Sequence, residues 1–132
     1  MKPKPTAAEL EILQVLWSEG PSTVRQVHDH LEAKSGSGYT TTLKLMQIMT
    51  GKGLLRSDDQ RPARFSTVQA REKTQVGLLR DLAQRAFDGS LGKLLVRAVA
   101  DTRLKPDELD AIRQLIDQNS GKSNPPGKRG GQ

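Results

Sequence analysis

Apolar residues recur at helical spacing in three short runs over the first 52 positions of the chain, and glycine punctuates each run. Leu10, Leu13, Leu16 and Trp17 stand three and four apart, which places them on one face of a helix that Gly20-Pro21 ends. Trp17 closes this stripe and reads as a core residue. Thr6 and Glu9 form a capping box, in which the hydroxyl accepts a first-turn amide and the carboxylate accepts the cap amide, so the helix starts there. Thr23 with Gln26 repeats the device, and Val24, Val27 and Leu31 make the next stripe, up to about Lys34. Ser35-Gly36-Ser37-Gly38 reads as a flexible turn, and Thr40 to Lys52 carries a third helical pattern with Gly53 placed to stop it. Three helices joined by turns this short predict a helix-turn-helix arrangement.

The period then changes from helical to alternating. Arg64, Ser66 and Val68 alternate with Phe65 and Thr67, and the polar turn from Asp58 to Pro62 separates them from Leu54-Leu55-Arg56-Ser57. This is the pattern of a two-stranded hairpin with Phe65 as its inward anchor, Asp58-Asp59 supplying turn chemistry.

Helical spacing resumes from Gln69 to Phe87, with Val76, Leu79, Leu82, Ala83, Ala86 and Phe87 on the apolar side and Asp88-Gly89 at the end. Ser90 is placed to cap a further helix through about Ala100, with Leu91, Leu94, Leu95, Ala98 and Val99 on its apolar side. Pro106-Asp107-Glu108 opens a last helix carrying Leu109, Ile112, Leu115 and Ile116. Three helices of this length cannot bury all those faces alone, so a homodimer of twofold symmetry is expected. Its predicted contact residues are Val76, Leu79, Leu91, Leu94, Leu95, Leu109, Ile112, Leu115 and Ile116. The chain therefore reads as mainly α with a small β-hairpin: a flexible arm over 1–5, a winged helix-turn-helix domain over 6–68, a C-terminal helical dimerisation region over 69–118, and a disordered basic tail over 119–132.

Composition narrows the function. The 132 residues suit one domain with a dependent appendage, and aromatic residues at 3% leave the core to Leu, Ile, Val and Met. There is no cysteine, which excludes disulfides, thiolate metal sites and cysteine nucleophiles. The amino terminus lacks the apolar core of a signal peptide and no run is long enough to cross a membrane, so a cytoplasmic location is expected. His28 and His30 are two apart on a helix, unlike an i, i+4 metal pair, and read as surface histidines. With no phosphate loop or nucleophile elbow either, no enzyme, cofactor or metal is expected. Net charge is +6, but residues 119–132 hold three of the excess cations, residues 1–68 two and residues 69–118 one. A solvated surface with a basic tail would give the same pI, so the case for nucleic acid rests on local placement.

That placement is found in the third helix. At about 100° per residue, Thr42, Leu43, Met46, Met49 and Thr50 fall on one side, and Thr40, Thr41, Lys44, Gln47, Ile48 and Gly51 on the other. Hydroxyls and an amide can bond base edges or phosphate in a major groove, and an apolar side chain can meet a thymine methyl. A solvated face would tolerate the same residues, and Ile48 also fits a protein-interaction adaptor that keeps the shape without using it on DNA. Arg56, Arg61 and Arg64 on or beside the hairpin turn favour DNA, because a wing reaches phosphates or a minor groove next to a recognition helix. Thr40, Thr41, Lys44, Gln47, Ile48, Lys52, Arg56, Arg61 and Arg64 are the candidate contacts with double-stranded DNA.

The runs TAAELEILQVLW, PSTVRQV, GYTTTLKLMQIMTGKGLL, RPARFS, DGSLGKLLVRAVAD and LKPDELDAIRQLID occur in this order. Together they resemble the penicillinase repressor family, which includes the methicillin-resistance regulators, over about residues 6–118. The resemblance implies a dimeric bacterial winged-helix repressor on a palindromic operator, and raises a sensor or protease pathway as a further partner. In the best-known members release follows cleavage at an Asn-Phe bond; Arg97-Ala98 stands at that place here, which argues against the same control. The cysteine cluster of copper-responsive relatives is also absent.

Overall fold

Two capping boxes fix where the first two helices begin. In the computed structural model, which describes residues 4–36 and 38–122, Glu9 N–H donates to Thr6 Oγ1 at 3.2 Å and Thr6 N–H donates to Glu9 Oε1 at 3.0 Å. Helix α1 (Ala7–Glu19) follows and ends at Gly20, whose φ of 84° is open to glycine at little strain. Thr23 and Gln26 reproduce the box at 3.2 and 2.9 Å, opening helix α2 (Val24–Ser35). Between the two helices lies strand β1 (Ser22–Thr23), which sequence periodicity did not predict because two residues carry no alternation.

Helix α3 (Tyr39–Lys52) closes with Gly53 in the left-handed region, φ 85° and ψ 13°. Gly53 N–H donates to Thr50 O at 3.1 Å and Leu54 N–H to Met49 O at 2.9 Å, so the stop predicted at Gly53 satisfies two carbonyls of the last turn. Strands β2 (Leu55–Ser57) and β3 (Arg64–Thr67) form the predicted hairpin, antiparallel, with Leu55 opposite Thr67 and Ser57 opposite Phe65. Pairing of β1 with β3, Ser22 opposite Phe65, makes a three-stranded sheet of order β1-β3-β2.

The core of this unit is one cluster: Ile12, Leu13 and Leu16 from α1, Val24, Val27 and Leu31 from α2, Met46 and Met49 from α3, and Leu55 and Phe65 from the hairpin. Phe65 is the inward anchor expected of it. The buried stripe of α1 differs from the expectation by about one position: Glu9, Ile12, Leu13 and Leu16 are buried, whereas Leu10 and Trp17 are half-buried at its edge. Trp17 leans outward because its indole Nε1 donates to Gln69 O at 3.2 Å, holding the segment that leads into helix α4 (Arg71–Ala86).

The chain divides into two compact units, Met1–Leu82 and Ala83–Gln132. The first extends beyond the expected limit at residue 68, since Trp17 holds Gln69 and the Lys4 ammonium lies 2.8 Å from the Asp81 carboxylate. Lys4, expected in a flexible arm, is thus tethered; residues 1–3 lie outside the described residues, as does Ser37 of the predicted turn.

The second unit holds helix α5 (Leu91–Asp101), capped by Ser90 Oγ accepting Lys93 N–H at 3.1 Å, and helix α6 (Pro106–Lys122). Helix α6 overruns the expected tail boundary by four residues, Asn119 to Lys122, because no proline interrupts its hydrogen bonds there. The rest of the predicted tail, 123–132, lies outside the described residues. Ala83 and Leu94 are the buried apolar residues of this unit, while Leu95, Val96, Val99, Leu115 and Ile116 are exposed.

Candidate nucleic-acid interface

The two faces of α3 separate as its spacing predicts. Thr42, Met46 and Met49 are buried and Leu43 and Thr50 half-buried, with Thr50 Oγ1 donating to Met46 O at 2.8 Å. Thr40, Thr41, Lys44, Gln47, Ile48 and Gly51 are exposed. Ile48 keeps 43% of its surface in solvent, an apolar side chain that the core does not claim. Leu45 is half-buried against the core, a contact that helical spacing did not assign.

Beside this face stands the wing. Asp58 shapes its turn by accepting Gln60 N–H at 3.0 Å and Arg64 N–H at 2.9 Å on one carboxylate oxygen, and its own N–H donates to Arg64 O at 3.0 Å. The carboxylate is thereby tied to backbone amides. Arg56, Arg61 and Arg64 are exposed, and among the described residues no carboxylate comes within 4.0 Å of their guanidinium groups or of the Lys44 ammonium. Exposed cations without acid partners present their full charge to solvent.

Lys52 departs from the expectation. Its ammonium donates to both oxygens of Glu9, at 2.8 and 3.0 Å, so it joins the end of α3 to the start of α1. Glu9 is 2% exposed and the Lys52 side chain 34%. A buried carboxylate requires such a partner, and Lys52 is that partner. Burial works to raise the Glu9 pKa, but the bonds from Lys52 and Thr6 outweigh it and hold the carboxyl below its ordinary value of 4.5. The sequence signal was the helical offset: Glu9 lies three residues before Ile12 and four before Leu13, on the stripe itself.

His28 also departs. It is 6% exposed because it follows Val27 on the buried side of α2; His30 is exposed as expected. Among the described residues its Nδ1 is buried without a hydrogen-bond partner; its Nε2 lies 3.8 Å from a Glu32 oxygen, and its ring makes a T-shaped contact with the Tyr39 ring at 5.8 Å and 80°. The Arg25 guanidinium stands over the same Tyr39 ring, 4.9 Å from its centroid. Neither Arg25 nor Tyr39 was among the candidate residues, since the contact joins two helices. His28, Asp29 and Glu32 offer ligand atoms within 4.8 Å of one another, but two exposed acids beside one histidine make no built metal site.

The residues expected at a dimer contact fall into three groups. Val76, Leu79, Leu95, Leu115 and Ile116 are exposed, and Leu91, Leu109 and Ile112 are half-buried. Leu94, at 8% exposure, is buried. Leu82, Val96 and Val99 add exposed apolar surface outside the predicted set. Arg97 is exposed, with Nη1 2.8 Å from the Asp101 carboxylate one turn later. Among the described residues no helix is long and apolar enough to cross a membrane.

Comparison with known proteins agrees with this architecture. The sequence profile of the family described as penicillinase repressor matches residues 5–118. Two relatives, each named transcriptional regulator BlaI and from two strains of Mycobacterium tuberculosis, are 38% identical over 122 residues, covering 89% of this chain and 87% of theirs. A match over nearly the whole length, on a chain that folds as a winged helix followed by three further helices, has one reading: the protein belongs to the penicillinase repressor family, whose members regulate transcription and are not enzymes.

Proposed function

We propose that the chain is a transcriptional repressor that binds a palindromic operator as a homodimer. Helix α3 enters the major groove, where Thr40, Thr41, Gln47 and Ile48 meet base edges and Lys44 meets phosphate. The wing carries Arg56, Arg61 and Arg64 to the adjacent backbone or minor groove. The observation that carries this reading is the coincidence of two exposed surfaces: an α3 face left free by the core, and beside it a hairpin whose arginines have no acid partner among the described residues.

A second copy supplies the symmetry. The second unit has too few buried apolar residues for a core of its own, and its exposed Leu95, Val96, Val99, Leu115 and Ile116 match the surface that twofold association covers. Each half-site of the operator is then read by one α3, at a spacing set by the dimer. No proteolytic release is included, because Arg97-Ala98 replaces the family's scissile pair.

Titration against fragments of the host genome tests the reading. Binding is expected to prefer a few fragments and to weaken with salt. Thr41→Ala or Gln47→Ala should change which fragments are preferred, by about 1–3 kcal/mol per lost base contact. Arg64→Ala should weaken all fragments alike and lower the slope of log affinity against log salt by about 0.9. Equal binding to every fragment, untouched by all three changes, refutes the assignment.

A further inference from the structure

The contact between Arg25 and Tyr39 does work that neither the core nor the recognition face explains. Arg25 is exposed on α2, and among the described residues its guanidinium meets no carboxylate; what it meets is the face of the Tyr39 ring. Tyr39 is the first residue of α3, next to the exposed hydroxyls of Thr40 and Thr41, and is itself 38% exposed. Its ring also makes a T-shaped contact with His28, which α2 holds in the interior. Three side chains thus form a series, in which a buried imidazole meets a half-exposed ring and the ring supports a cation.

We propose that Arg25 is a further DNA contact, a phosphate anchor outside both recognition helix and wing, and that Tyr39 is the residue that positions it. The inference rests on the DNA-binding reading above. A guanidinium lying on an aromatic face keeps its in-plane N–H groups free, and those are the groups that meet two phosphate oxygens at once. Holding the long side chain on the ring before DNA arrives reduces the rotamer entropy lost on binding. Lysine cannot substitute fully, because an ammonium is a point charge without a planar edge.

Salt dependence separates this role from a structural one. Arg25→Ala should lower the slope of log affinity against log salt by about 0.9 and weaken binding about tenfold on every fragment alike. Arg25→Gln, which keeps a stem and a planar head without the charge, should lose the same slope. Arg25→Lys should regain the slope and recover affinity only in part. Tyr39→Phe keeps the platform and should match the wild type, whereas Tyr39→Leu should weaken binding with the slope retained. Wild-type slope and affinity in both Arg25→Ala and Arg25→Gln overturn the anchor, while loss in Arg64→Ala alongside them leaves the DNA-binding reading intact. A wild type without fragment preference overturns both.

Discussion

Lys52→Met is the substitution on which the sequence reading and the structure disagree most sharply. A phosphate ligand would be lost without harm to the fold. In the structure, however, the change strands the Glu9 carboxylate, 2% exposed, leaving it the bond from the Thr6 amide but no cation among the described residues. Breaking a buried ion pair by removing one partner costs about 3–5 kcal/mol. The Lys52 side chain keeps 34% of its surface in solvent, and screening there reduces the expectation to about 2 kcal/mol. For a unit of this size that is a drop in Tm of roughly 10 °C. The assay is thermal unfolding followed by circular dichroism, between pH 7 and pH 3, with DNA titrations well below the transition. Because the Glu9 pKa is lowered in the folded chain, the stability that its ionised form contributes is complete above 4.5 and is lost as pH falls through the folded value. The gap in Tm between wild type and Lys52→Met should therefore narrow below pH 4.5. The salt slope of DNA binding should not change. An unchanged Tm together with a slope lower by about 0.9 refutes the structural role and returns Lys52 to the DNA surface.

Two further outcomes follow from named contacts. The wild type should sediment at twice its chain mass, and Leu95→Glu or Leu115→Glu should shift it toward the monomer, each burying a charge at a cost of several kcal/mol if association persisted; a folded monomeric wild type removes the dimer. Gly53→Ala should lower stability by about 1 kcal/mol through its φ of 85°, since nothing within 4 Å would meet the added methyl; unfolding in urea with an unchanged midpoint counts against strain at that cap.

Much of the first unit could be read directly from the chain, because its signals are local. Capping boxes at Thr6 and Thr23, the αL glycine at 53 and the Asp58 turn are each settled within about six residues of sequence. The exposed side of α3 followed from helical period alone, since the same spacing that buries Met46 and Met49 turns Lys44, Gln47 and Ile48 outward. What local pattern could not supply were contacts between elements far apart in sequence. β1 exists because β3 lies beside it, and Glu9 is buried because Lys52, 43 residues on, neutralises it. Polarity alone marks Lys52 as a cation and His28 as a surface residue, whereas packing pairs Lys52 with Glu9 and buries His28.

The sequence by itself determined the order of helices and hairpin, the face that α3 turns outward and the family to which the chain belongs. Those properties depend on backbone hydrogen bonding and on side-chain period, which act over a few residues. The tertiary structure decided which cations are already engaged within the fold. Lys52 is held by a buried carboxylate, Arg64 and Arg56 have no acid partner among the described residues, and Arg25 lies on an aromatic ring from the next helix. Charge is a property of a residue, but its availability depends on what the fold brings within a few ångströms of it.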